Sequence, residues 1–248
     1  MFAGLAATVL LVIAGPGYRI GVLPLQPALL GAALGFLLFI MAFLLGGVGL
    51  LAGRVRSLPT SHAAIAVVVV AGLATIFGGS WMVRLRSAPP IHDITTDTED
   101  PPAFRAIVPM RQAAQAANAP EYQRIQRVGG RDIDVIEAQR TAYPDVQPLI
   151  LPQTPEQALE LARQAAQALG WQIVAADMTT PLEGRIEATD TTAYFGFKDD
   201  MVIRVRPEPN GSRVDARSVS RVGVSDVGTN ARRIRNYMTQ LRDLAGMQ

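Results

Sequence analysis

The hydrophobic pattern changes character once along the chain. No residue from Ile20 to Gly53 carries a charge, and Ala28 to Ala52 is apolar almost throughout. Crossing about 30 Å of hydrocarbon takes roughly 20 helical residues, so this stretch predicts a transmembrane helix. Ser57 to Val83 also lacks Asp, Glu, Lys and Arg, and Ala63–Val83 is long enough to span. Its glycines, Gly72, Gly78 and Gly79, permit close helix approach. A soluble core helix is the competing reading, and the length and apolarity weigh against it. The first apolar stretch, Phe2–Ala14, is shorter and invites comparison with a signal peptide. It has neither a positive leading region nor a small-x-small cleavage site before a soluble start. Gly15-Pro16-Gly17-Tyr18-Arg19 follows it, a turn with an interfacial aromatic and an anchoring charge. The expectation is three transmembrane helices, roughly 2–18, 28–52 and 62–84, in a membrane domain of residues 1–86.

Beyond Ser87 the pattern becomes mixed. Residues 87–152 form an acidic, Pro-containing segment expected to be mostly extended. Pro101 and Pro102 forbid a helix there, and a short helix over Arg111–Ala119 stops at Pro120. Residues 153–248 are more regular. Thr154-Pro155-Glu156-Gln157 is a helix start, with Ala158, Leu161, Ala162, Ala165 and Leu169 on one face and Gly170 at the end. Strands are expected at Trp171–Ala175, Gly184–Thr189, Phe195–Pro207 and Arg213–Arg221, the last two joined by a Pro209-Asn210-Gly211 hairpin. Asn230–Leu244 reads as a helix with Ile234, Tyr237, Met238, Leu241 and Leu244 on one face. Short turns between strands imply antiparallel pairing, and half-apolar strands imply one covered face. The expected fold is α+β: transmembrane α-helices, then a two-layer sandwich of an antiparallel four-stranded sheet with two helices.

Charge alters the picture only when divided at Ser87. The whole chain has net charge +2 and a pI of about 9.3. Arg19, Arg54, Arg56, Arg84 and Arg86 are the only charged residues before Asp93. Everything from Ser87 onward holds eighteen basic and twenty-one acidic residues, a net charge of −3. The basic excess therefore belongs to helix-flanking arginines, and the case for nucleic-acid binding collapses. Three spans would put the N-terminus and the soluble part on opposite sides. Arg54 and Arg56 favour one orientation, and Arg19, Arg84 and Arg86 the other. The absence of cysteine excludes disulfides, thiolate nucleophiles and cysteine metal sites.

Three segments, IHDITTDTEDPPAF (Ile91–Phe104), FGFKDDMVIRVRP (Phe195–Pro207) and SRVGVSDVGTNARRIR (Ser220–Arg235), resemble the bacterial and plastid family called domain of unknown function 1499. Ala142-Tyr143-Pro144-Asp145 fits as well, and the resemblance covers most of residues 88–245. The fused helices are similar to one architecture of that family. Other members carry export-type signals, which implies a bacterial plasma membrane location with the soluble domain on the periplasmic side. The family has no established activity, so the resemblance assigns no catalytic residue.

The candidate chemistry centres on the last of these segments. Arg232, Arg233 and Arg235 sit in the first two turns of a helix, where cations oppose the dipole by a few tenths to about 1 kcal/mol each. No acid lies three or four residues away within that helix, so partners must come from elsewhere. Asp199, Asp200, Asp93 or Asp97 would make them structural ion pairs. A bound phosphate or carboxylate would make them an anion site with Arg221 and Asn230. Ser225 and Asp226 read first as turn and cap residues. A Ser225–His92–Asp226 or Asp93 arrangement lacks a nucleophile elbow. His92, Asp93 and Asp97 are weak candidates for a hard cation, with no EF-hand spacing. Asp199-Asp200 reads as a charged guard on a strand edge.

No cofactor is implied. The expected partners are the lipid bilayer and a protein, lipid or envelope component bound by a non-enzymatic domain. An enzyme acting on an anionic or lipid-like substrate, and a membrane sensor, are the alternatives from other classes.

Overall fold

The computed structural model describes residues 2–55, 62–180 and 182–247. Arg56, one of the loop arginines weighed for orientation, lies outside them. The chain forms two units, residues 1–87 with 192–196, and residues 88–191 with 197–248.

The first unit contains α1 (Phe2–Arg19), α2 (Leu25–Val55) and α3 (His62–Ser87). α2 and α3 are long and apolar enough to cross a membrane, whereas α1 is apolar but shorter. In their most apolar windows only 28% of α2 and 6% of α3 is buried inside the chain. A soluble core helix would be mostly covered, so these are not core helices. Leu30, Leu45, Leu51, Ile76 and Val83 stand exposed.

The second unit begins with β1 (Asp93–Thr95), α4 (Val108–Ala113), β2 (Ile125–Val128), β3 (Arg131–Asp134), α5 (Val135–Ala142) and β4 (Leu149–Leu151). α6 (Pro155–Ala168), β5 (Gln172–Thr180), β6 (Glu183–Thr191), β7 (Lys198–Glu208), β8 (Gly211–Ser220) and α7 (Thr229–Leu244) follow. β5 to β8 form the expected antiparallel meander. Among the described residues the sheet has six strands rather than four, because β1 and β4 both pair antiparallel with β8. Each has three residues, too few for a readable alternation, and pairing with β8 creates them. β2 and β3 form a separate hairpin.

Local chemistry explains the main elements. Thr154 and Gln157 exchange hydrogen bonds in a complete capping box, with Pro155 in the first turn of α6. Glu208 pairs with Gly211 across the β7–β8 turn. A Cβ on Gly211 would lie 1.9 Å from the Leu151 carbonyl oxygen, so only glycine lets β4 approach there.

The apolar core lies between one sheet face and α6 with α7. Alternate residues Ile186 and Ala188, Met201, Ile203 and Val205, and Val214 and Ala216 meet Ala158, Ala162, Ala165, Ile234 and Leu241. Each fully buried Ile or Leu contributes about 1.5–3 kcal/mol. Trp171 stacks on Tyr237 at 5.1 Å, and the Tyr237 hydroxyl donates to the Ala162 carbonyl at 3.2 Å. Leu244, expected on the inner face, is 38% exposed where α7 runs past the core.

Candidate functional site

The other sheet face carries the alternating charges, and it is not in water. Arg185, Glu187 and Thr189 of β6, Asp200 and Arg204 of β7, Asp215 and Arg217 of β8, and Arg221 just beyond are all buried. Residues 96–124 cross this face and supply its partners. Phe104 and Ile107 pack on Val202 and Val219. The Glu187 carboxylate accepts the Arg105 and Ile107 backbone N–H groups at 2.7 and 2.9 Å, which pins the cover to the centre of the sheet. The expectation of one covered face is therefore corrected: the second is roofed by the Pro-containing segment.

Ion clusters lie beneath this cover and at its rim, besides the Arg185–Glu183 pair. Arg217 holds Asp93 in a fork at 2.9 and 2.7 Å and donates to the Pro102 and Pro120 carbonyls. Its guanidinium lies 5.1 Å from the Phe104 ring centre and 5.4 Å from that of Tyr122. Asp200, with no exposure, accepts from Arg111 at 2.6 Å, Arg221 at 2.9 and 2.8 Å, and Thr189 at 2.7 Å. β7 lies between β6 and β8, so Asp199-Asp200 guards no edge. Arg204, Arg206 and Arg213 surround Asp97, Asp100 and Asp215. Burial lowers the Arg111 pKa against the pull of Asp200, while the hydrogen bond to Asp215 raises that of Arg213.

A second polar cluster lies at the start of α7. Asp226 accepts the Gly228 and Asn230 N–H groups at 2.9 and 2.7 Å, so the protein's own carboxylate occupies the helix start. Burial pushes the Asp226 carboxyl up to about 6, and the two backbone donors oppose that rise. Arg233 reaches Asp190 at 2.8 Å and Asp199 at 2.6 Å and donates to Asn230 Oδ1. Arg235 forks onto Asp145 at the surface and lies over Tyr143. Arg232 is exposed, and its guanidinium donates to Thr229 Oγ1 at 3.3 Å.

The same cluster holds the chain that follows α3. Four consecutive carbonyls accept: Pro89 from Ser225 Oγ at 3.1 Å, Pro90 from Gln126 Nε2 at 2.9 Å, Ile91 from Asp226 N at 3.1 Å, and His92 from Ser220 N and Asn230 Nδ2 at 3.1 and 3.0 Å.

The candidates read from sequence thus fall into separate environments. Asp226, Asn230 and Arg233 come together at the α7 start, and Arg221 faces the opposite side with Asp200. Arg232 and Arg235 point to the surface. Ser225 Oγ donates to Pro89 and accepts from Val227 N–H, so its proton is not directed at His92. Burial lowers the His92 pKa, favouring the neutral ring. Asp93 and Asp97 are engaged by arginines, and no group of three or more metal-ligating side chains exists among the described residues. Sequence reasoning missed Arg111, Arg217, Glu187 and Gln126. For the strand residues, alternating charge reads as a wet face unless the cover is known.

One flank of α7, at the edge of the core-facing side, borders an open depression of about 350 Å³. Ile234, Met238 and Leu149 line it, together with Asp145, Arg235 and Arg242.

This arrangement defines a class: an α+β domain with both sheet faces covered, following a set of apolar helices. The chain belongs to the family described as protein of unknown function (DUF1499), whose model matches residues 93–241. No curated protein and no solved structure matches it.

Proposed function

We propose that this chain is a multi-pass bacterial inner-membrane protein whose periplasmic domain binds a protein, lipid or envelope component without catalysing a reaction. One observation carries the reading: the charged groups best suited to catalysis or anion capture are engaged with one another. Asp200 is held by two arginines, Arg217 by Asp93 and two carbonyls, and the α7 start by Asp226. A group committed to an internal ion pair has to break it before serving a substrate. At a buried site that break costs about 3–5 kcal/mol. The poorly covered apolar surfaces of α2 and α3 support the membrane assignment.

The partner-facing surface is the flank of α7 that carries Arg235, Thr239 and Arg242. Arg232 and Arg242 carry no ion pair there among the described residues, and Arg235 lies between them with the depression alongside. A photo-crosslinking residue at Thr239, inside the depression, tests this in cells, with one at exposed Gln167 on α6 as control. Adducts from position 239 that disappear in Arg232→Ala/Arg242→Ala support the proposal. Equal adducts at both positions, or none at 239, overturn it.

A further inference from the structure

Most buried acids of the second unit have a guanidinium beside them. Asp93 has Arg217, Asp97 and Asp215 have Arg204, Asp199 has Arg233, and Asp200 has Arg111 and Arg221. Among the described residues, Glu187 and Asp226 are buried without an ion pair and accept backbone N–H groups instead. Asp226 differs from Glu187 in what stands next to it.

The Tyr143 hydroxyl, at the end of α5, is buried and has no hydrogen-bond partner among the described residues. It lies against the turn that Asp226 caps. A Cβ on Gly228 would come 3.2 Å from this hydroxyl, and Gly228 is the residue whose N–H Asp226 Oδ1 accepts at 2.9 Å. Each Asp226 oxygen already takes one N–H, so a proton bound there needs an acceptor of its own. The Tyr143 oxygen supplies one. Burial favours the neutral form of both groups, raising the carboxyl to about 6 and the phenol to about 12. Asp199 of β7 adds to the rise at Asp226, and Arg233 of α7 opposes it. Arg232 and Arg235 of α7 face Tyr143. On the chain before β1, the Ile91 carbonyl accepts the Asp226 N–H, and His92 follows it.

The Tyr143 ring connects this turn to the surface. Arg235 lies 5.4 Å from the ring centre and forks onto Asp145. Both partners are well exposed, and a surface pair holds its geometry weakly, so Arg235 follows the ring beneath it. Asp145 and Arg235 line the depression on the flank of α7.

We propose that Asp226 and Tyr143 form a proton-sensitive pair that regulates the partner-facing flank of α7: Asp226 protonated from solvent donates to the Tyr143 hydroxyl, and ionised Asp226 releases it, moving the ring and Arg235. The proposal rests on the reading that this flank meets the partner. Its sign follows from the raised carboxyl: the pair is closed in acid and opens as pH rises through about 6.

The test uses the full chain in nanodiscs. The chain has no cysteine, so Thr239→Cys carries a single trifluoromethyl label inside the depression, with Gln167→Cys on α6 as control. The fluorine resonance is followed from about pH 5 to about pH 7.5 with no partner present. The expected result is a shift at 239 with its midpoint near 6 and a silent control. Asp145 does not contribute, because the hydrogen bonds from Arg235 hold its carboxyl below the ordinary range. The shift should vanish in Asp226→Asn and in Tyr143→Phe and persist in His92→Gln. A flat resonance at 239 in the otherwise unaltered chain overturns the proposal. So does a shift that survives Asp226→Asn or Tyr143→Phe, or one that disappears in His92→Gln. Because this readout needs no partner, missing crosslinks at 239 overturn the partner reading and leave the titration standing.

Discussion

Replacing Arg217 with Met removes the charge and keeps much of the side-chain volume. The wild-type guanidinium is 1% exposed and serves Asp93, Pro102 and Pro120 while packing between two aromatic rings. Asp93 is itself 5% exposed and would be left as a buried carboxylate without its fork. Breaking a buried pair from one side costs about 3–5 kcal/mol, a large share of the roughly 5–15 kcal/mol that a domain has in total. For a domain of this size that corresponds to a fall in melting temperature of about 10 °C. Trp171 is the only tryptophan beyond Ser87, so its fluorescence reports unfolding of residues 87–248 without interference. The double variant Asp93→Leu/Arg217→Met should recover at least about 2 kcal/mol relative to the sum of the singles, because no charge is then stranded. A loss below about 1 kcal/mol for Arg217→Met, or additive singles, would refute the internal-pairing argument.

Other predictions separate the charged groups around α7. Arg233→Ala strips Asp199 and Asp190 of their partner and should cost about 3–5 kcal/mol in urea unfolding, whereas exposed Arg232→Ala should stay within about 0.5 kcal/mol; similar losses would contradict the geometry. Asp226 titrates in the native domain near 6, against 3.8 ordinarily, so its stabilising contribution is complete below the lower value and lost as pH rises through the upper. Stability of Asp226→Asn relative to wild type should therefore improve by about 2–3 kcal/mol between roughly pH 4 and pH 7, and a pH-independent difference would exclude this. Residues 87–248 should melt cooperatively at an unchanged temperature after chelation with EDTA; a collapse of the transition would reveal a structural metal.

Legibility followed the range of the interactions. The α6 capping box and the β7–β8 hairpin lie within a few residues of sequence, so their chemistry is visible before any fold exists. β1 and β4 are invisible because three-residue strands arise only when β8 is in place. The buried charge lattice is hidden for a related reason. A strand reading Arg204-Val205-Arg206 looks like the wet side of an amphipathic sheet until Pro101–Ile107 lies over it. At α7 the arginines look like one cluster in the sequence, although about 100° of rotation per residue separates them. Arg233 lies beside Ile234 and Tyr237 on the inner face, while Arg232 turns outward. A helical projection centred on Ile234, Tyr237 and Leu241 carries that distinction without any structure.

Thermal unfolding of the full chain across titrations of phosphate, sulfate and small carboxylates tests the central claim most directly. Arginines already held by Asp93, Asp199 and Asp200 should give no saturable rise in melting temperature. A saturable rise in wild type that disappears in Arg221→Met or Arg233→Met would show that an external anion uses these side chains, and would contradict the account.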